Sequence, residues 1–268
     1  NSVTTLTLSN PGLGITYRNA IGFGIGPNGI TGGTVNLTGN GYLTQPTTAG
    51  SRIIATSLTV TATAGGIDFQ NPANDVDQLT VTNLGGHLYF RDVDDLQIAS
   101  LQMGAGYADV YVGGALTQSG AITSGSLSVV GNGSPIALDT QANTVTSFAA
   151  SNGAGTVLFN DTAGGLTLAG ITGGTVAIGA AGAVDQTAAV NAGAFTVNGV
   201  GSAITLNTQA NTVTSFAANN GAGNVLFNDT AGGLTLAGIT GGTVTIGAAG
   251  AVDQTAAVNA GAFTVNGV

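Results

Sequence analysis

The 268-residue sequence contains no Cys, Trp, Lys or Glu, and charged residues make up only 6% of it. The lack of cysteine excludes disulfides and thiolate metal sites, and His87 is the single histidine. Because Lys and Glu are missing and 46 residues are glycine, the chain is poor in helix formers and rich in helix breakers. Three Arg against a net charge of −9 cannot neutralise a phosphate backbone, so nucleic acid is not an expected partner.

Hydrophobic residues make up 43% of the chain and alternate with polar residues in short runs. This composition argues against disorder, because a disordered chain has few apolar residues and more charge. Each run is three to five residues long in the last part of the chain, for example Ile204-Thr205-Leu206 and Phe263-Thr264-Val265. Period-two alternation bounded by Gly, Asn or Asp predicts short β-strands that bury one face.

The chain repeats itself with a period of 68 residues. Residues 133–200 and 201–268 align without a gap and differ at six positions. Residues 1–132 carry degenerate versions of the same module, for example Leu88-Tyr89-Phe90-Arg91-Asp92 against Val157-Leu158-Phe159-Asn160-Asp161. We therefore divide the chain into degenerate modules over 1–132 and two copies over 133–200 and 201–268, and expect them to belong to a longer array.

A shorter period lies inside each copy, since Val157, Val176 and Phe195 are 19 residues apart. This spacing predicts an all-β fold, a β-solenoid of parallel coils in which equivalent residues stack about 4.8 Å apart. We expect three coils in each copy, the third lengthened by an extra strand or corner at residues 211–216. Sparse charge fits this architecture, because like charges stacked at that spacing repel. A β-sandwich array is the alternative, although its strands are usually longer.

The pattern of Ile204-Thr205-Leu206, Val225-Leu226-Phe227-Asn228-Asp229 and Leu234-Thr235-Leu236-Ala237-Gly238 resembles the repeats of filamentous-haemagglutinin-like proteins. These are large secreted bacterial adhesins and surface fibres. The resemblance covers about residues 110–268 well and the preceding part loosely. It implies a right-handed parallel β-helix, export through an outer-membrane partner transporter of the two-partner-secretion type, and a place at the surface of a Gram-negative bacterium. It carries over no catalytic residues.

One acidic cluster could bind an ion, because Arg91-Asp92-Val93-Asp94-Asp95 lies about one coil from two further aspartates. Several carboxylates on adjacent coils could supply the oxygen ligands that Ca²⁺ requires. The candidate ligands are Asp75, Asp77, Asp92, Asp94 and Asp95. The alternatives are an exposed corner partly neutralised by Arg91, which we favour, and a carboxylate pair that cleaves polysaccharide. We expect no other cofactor, and His87 has no partners that would make it catalytic.

The sequence therefore predicts a non-enzymatic extracellular protein, a stalk or fibre segment of an adhesin that serves cell adhesion or a biofilm matrix. Its expected partners are a host or neighbouring cell surface or matrix, and other copies of itself. A subunit of a self-assembling filament is the first alternative, and a carbohydrate-acting β-helix enzyme is the second. All five Tyr, all three Arg and the one His precede residue 133. Any specific function is therefore expected in that variable half.

Overall fold

The computed structural model describes residues 1–267. The chain divides into two compact units, Asn1–Pro135 (unit one) and Ile136–Val268 (unit two). The strands of unit one are β1 (Thr5–Asn10), β2 (Ile15–Arg18), β3 (Phe23–Gly39), β4 (Leu43–Thr44), β5 (Ile53–Ala62), β6 (Ile67–Phe69), β7 (Asp75–Thr82), β8 (His87–Asp92), β9 (Leu96–Gln102), β10 (Tyr107–Val112), β11 (Leu116–Gln118) and β12 (Ile122–Val130). A 3-10 helix at Ala49–Ser51 lies between β4 and β5.

Unit two contains eight strands. They are β13 (Ile136–Ser151), β14 (Thr156–Asp161), β15 (Leu166–Ala180), β16 (Val184–Asn198), β17 (Ile204–Asn219), β18 (Val225–Asp229), β19 (Leu234–Ala248) and β20 (Val252–Gly267). Several of these are longer than the sequence predicts, because they continue round the corners of a coil. The β15 strand, for example, pairs with β16 along nearly its whole length.

The predicted β-solenoid is confirmed, since the strands of each unit pair in parallel with strands of the next coil. Apolar residues of successive coils stack on one another inside the solenoid. In unit one a single interior ladder contains Leu43, Ile67, Leu88, Ala108 and Leu127. Each of these side chains is fully buried. The neighbouring residues on the strand point outward, as His87 and Tyr89 do on either side of Leu88. Apolar stacking of this kind is the main source of stability.

The two 68-residue copies do not stack in phase. Ile204 is the equivalent of Ile136, the first residue of the earlier copy's interior ladder. Ile204 pairs with Val184, whereas the ladder that starts at Ile136 reaches Phe195 three coils later and continues to Phe216. A copy therefore spans about three and a half coils, and the next copy starts half a coil round the solenoid. The prediction of three coils with a lengthened third is wrong.

A buried amide network fills one interior corner of unit two. Asn211 Nδ2 donates to the Leu206 and Asn228 carbonyls at 2.9 and 3.0 Å. Its Oδ1 accepts from the backbone N–H of Val190 at 2.9 Å and from Gln186 Nε2 at 2.8 Å. Asn211 is completely buried, so these bonds satisfy backbone groups that no water can reach. Gln186 and Asn211 are thus structural residues.

A buried aspartate recurs in both units, at Asp92, Asp161 and Asp229. Its Oδ1 accepts a hydrogen bond from a backbone N–H located 16 residues earlier in the chain. The pairs are Asp92 with Val76 at 2.9 Å, Asp161 with Val145 at 2.7 Å and Asp229 with Val213 at 2.7 Å. The aspartate satisfies a strand amide that would otherwise be buried without a partner, which explains the repeated Phe-x-Asp sequence.

Candidate functional site

The outward surface of β4, β6, β8 and β10 in unit one carries most of the chain's rare residue types. Parallel register places Tyr107 beside His87, and Tyr89 between Asp68 and Asp109. Tyr42 precedes β4 in the same column as His87. We call this surface the aromatic face, and define it by Tyr42, His87, Tyr89, Tyr107 and Tyr111. It contains the only histidine and four of the five tyrosines.

Four rings of the aromatic face, those of Tyr42, His87, Tyr89 and Tyr107, contact one another. The His87 ring centroid lies 5.8 Å from that of Tyr42 and 5.6 Å from that of Tyr107, whose ring it stacks against at 21°. Tyr89 lies 5.1 Å from His87 and 5.7 Å from Tyr107. The Tyr89 and Tyr107 hydroxyls are hydrogen-bonded at 2.9 Å. These contacts hold the rings in a fixed row although Tyr42 is 61% exposed.

Gly66 makes room for this row. It occupies the coil between Tyr42 and His87, and a Cβ at Gly66 would overlap the imidazole of His87. The missing side chain therefore lets the imidazole lean across a coil towards Tyr42. The backbone at Gly66 does not adopt a positive φ, so a larger residue there would displace the imidazole rather than strain the backbone.

Two clefts flank the aromatic face, one at each edge. The first has a volume of about 370 Å³ and lies between the rings of Tyr42, His87 and Tyr107 and glycine-rich corners such as Gly85-Gly86. The second, of about 270 Å³, is lined by Arg91 and Tyr111 among others. The face thus combines exposed rings with donors and acceptors at its edges, as ligand sites generally do.

Hydrogen bonding and burial change the acidity of two groups on this face. The hydrogen bond with the Tyr107 side chain, together with desolvation, raises the pKa of Tyr89 to about 12. Burial raises the pKa of Asp109, an effect that a hydrogen bond from Ser128 partly opposes. Tyr89 therefore keeps its proton at neutral pH and presents a hydroxyl group that can both donate and accept.

The corresponding outward positions of unit two carry no ring. The strand β14 and its neighbours in β15 and β16 present small or aliphatic residues there. These residues are Thr156, Leu158, Asn160, Thr175, Ala177, Gly179, Ala194, Thr196 and Asn198. The aromatic face is thus a property of unit one, and the expectation that specific function lies before residue 133 stays a prediction.

The five calcium candidates do not form one cluster. Asp92 is buried and its carboxylate accepts from the Val76 amide, whereas Asp75 and Asp77 are exposed on β7. Asp95 Oδ1 accepts from the Ala115 amide at 2.7 Å. Within residues 1–267 no group of three or more His or Asp side chains is arranged to hold a metal ion. Calcium binding stays a prediction without support from this geometry.

The sequence shows no partners that would make His87 catalytic. It is half-buried at the start of β8 and is the central ring of the aromatic face. Sequence reasoning missed this cluster because the rings come from three coils. The available signal was the spacing of Tyr107 from His87 and from Tyr89, 20 and 18 residues, which is close to one coil.

The buried aspartates predict a pH dependence of stability. Desolvation raises the pKa of Asp92 to about 8 and also raises the pKa values of Asp161 and Asp229, while backbone N–H bonds oppose the shift in each case. An acid with a raised folded-state pKa stabilises the fold below its unfolded pKa, and this stability is lost as the pH rises through the folded value. We expect the melting temperature to fall by about 5 °C or more between pH 4 and pH 8.

Thermal unfolding followed by circular dichroism at each pH measures this effect. The Asp92→Asn variant removes the buried ionisable group, and Asp253→Asn removes an ionisable group of the same type from an exposed position of β20. We expect the first to flatten the pH profile and the second to leave it nearly unchanged. Equal profiles for the two variants would show that net charge, rather than burial, sets the slope.

None of the helical structure in residues 1–267 has the length and apolar character needed to span a bilayer. A family model described as repeats of unknown function (DUF5649) matches residues 85–152 and 154–219. The two matches are about one 68-residue period apart, and the first one extends the repeat into unit one. No curated protein and no solved structure matches the chain.

Proposed function

We propose a function for this chain, which belongs to the DUF5649 family, repeats of unknown function. We propose that it is a non-enzymatic structural protein, a β-solenoid stalk segment of a bacterial adhesin that extends from the cell surface. In this role the stacked coils supply length and stiffness, and hold binding surfaces away from the cell.

The proposal rests on the burial of the positions at which the two copies differ. All six differing positions are half-buried or exposed in both copies, and every buried position of the copy is identical. The pairs are Pro135/Ala203, Ala137/Thr205, Asp139/Asn207, Ser151/Asn219, Thr156/Asn224 and Ala177/Thr245. The two copies thus share every interior residue that stacks between coils. A protein whose repeats serve to add length requires this identity of the interior.

Export through an outer-membrane partner transporter, attachment to a host cell, neighbouring cell or matrix, and a contribution to biofilm belong to the same proposal. They are supported by the likeness of the repeats to filamentous-haemagglutinin-like adhesins. The absence of cysteine agrees with a protein that folds outside the cytoplasm without needing disulfide chemistry.

A filament subunit, in which a coil of one chain stacks on a coil of the next, is the second candidate. Phe195 and Val197 are almost fully buried by the coil that follows them, and a coil of another chain offers the same parallel pairing and the same cover. Association that increases with protein concentration would support the filament, and a concentration-independent monomer would support the stalk.

Immunogold labelling of the source cells tests the stalk proposal. Antibodies against residues 133–268 are expected to label intact cells, and additional copies of residues 133–200 are expected to move an antibody epitope beyond them further from the envelope. Label that appears only after the cells are permeabilised, or an unchanged distance, would contradict the proposal.

A further inference from the structure

The aromatic face has a chemistry that a spacer does not need. A stalk requires only that outward residues be soluble, and the equivalent face of unit two meets this requirement with threonine, alanine, glycine and asparagine. In unit one the same kind of surface exposes Tyr42, Tyr107 and Tyr111 to 61%, 39% and 37%. Exposed aromatic residues gathered on one patch of a soluble protein indicate a binding surface.

The arrangement of polar groups indicates what binds there. The ring faces are apolar and carry partial negative charge, which favours a ligand with C–H groups on a flat face. Asp68 and Asp109 flank Tyr89 and provide acceptors, Arg91 provides donors at one edge, and the tyrosine hydroxyls provide both. A ligand with apolar faces and a rim of hydroxyl groups matches this combination.

We propose that the aromatic face binds the pyranose rings of a neutral polysaccharide, with sugars lying against Tyr42, His87 and Tyr107 in the adjoining cleft. The row of rings follows the solenoid axis, so that one sugar chain along the axis meets several rings in turn. Tyr89 and the aspartates beside it accept hydrogen bonds from the sugar hydroxyls.

The negative charge of the molecule favours a neutral polysaccharide over an acidic one as the ligand of the aromatic face. The net charge of −9 and the two carboxylates of the face repel acidic polysaccharides. Lys is absent from the chain and Arg91 is the one basic residue among β4, β6, β8 and β10, so the site lacks the paired cations that sulfate or carboxylate groups require.

The proposal does not depend on the stalk function. Loss of glycan binding would leave the stacking of the copies untouched, and a failure of the copies to add length would leave the aromatic face intact. The two results are therefore distinguishable in separate experiments on the same chain.

Titration with cellohexaose, maltohexaose and oligogalacturonate tests the proposal by calorimetry and by tyrosine fluorescence. The chain has no tryptophan, so four of its five emitting residues lie on the face. We expect at least one neutral hexasaccharide to bind and change tyrosine emission, and the acidic oligomer not to bind. Tyr42→Ala and Tyr107→Ala are each expected to weaken binding at least tenfold.

Two further variants separate ring contact from folding. Tyr17→Phe alters the one tyrosine outside the face and should leave affinity unchanged, while Gly66→Ala removes no ring but displaces His87 and should weaken binding. Melting curves confirm that each variant is folded, and saturation-transfer NMR locates the sugar on tyrosine ring protons. Preference for the acidic oligomer, absence of binding to both neutral sugars, or equal affinity in Tyr107→Ala would overturn the proposal.

Discussion

Replacement of Asn211 by alanine is expected to lower the free energy of unfolding of unit two by about 3 kcal/mol or more. The change removes an amide that donates to the Leu206 and Asn228 carbonyls and accepts from the Val190 amide. It also leaves Gln186, itself buried, without two of its hydrogen bonds. Each unsatisfied buried group costs about 1–3 kcal/mol, because water cannot replace the lost partner.

Urea denaturation followed by circular dichroism measures this cost. Asn207→Ala is the matched control, because Asn207 lies on the same strand, β17, but is exposed. We expect the control to change stability by no more than about 0.5 kcal/mol. If the two variants were equally stable, the amide network would not hold the corner together as described.

Phe195→Ala is expected to cost about 3–5 kcal/mol, whereas Phe263→Ala is expected to cost less than about 1 kcal/mol. The two residues occupy the same position of successive copies and have identical neighbours in sequence. They differ in that Phe195 is covered by the next coil, with its ring 5.8 Å from that of Phe216, while Phe263 is 43% exposed. The difference between the two losses thus measures how much stability is gained when one further coil covers an apolar side chain.

Denaturation of the two variants side by side checks this prediction, and Phe195→Leu serves as a control that keeps most of the buried volume. We expect Phe195→Leu to fall between the wild type and Phe195→Ala. Equal losses for Phe195→Ala and Phe263→Ala would mean that stacking between copies does not bury the ring.

The sequence predicts the strands and the coil period because both depend on local alternation. Val157 and Val176 are recognisable as interior residues from their apolar neighbours and the 19-residue spacing, and both are buried. The half-coil offset could not be predicted in this way. The offset arises because Ile204 follows Phe195 by only nine residues. The apolar–polar alternation of this segment is equally consistent with the end of one long coil and with half of a short coil.

The aromatic face could be predicted only in part. The concentration of Tyr, Arg and His before residue 133 located the half of the chain that carries it. The contact between Tyr42 and His87 could not be foreseen, because it crosses a coil and depends on the absent side chain of Gly66. Asp92 was misjudged for a related reason: its neighbours Asp94 and Asp95 are exposed, but strand alternation turns its own carboxylate inward.

Small-angle scattering of the purified chain with inserted copies tests the central claim most directly. Two additional copies of residues 133–200, inserted between Val200 and Gly201, restore the same face after seven coils. At about 4.8 Å for each coil, we predict that the maximum dimension increases by about 34 Å while the cross-section stays constant. A maximum dimension that stays the same while the cross-section grows would contradict the claim that the repeats extend the solenoid along its axis.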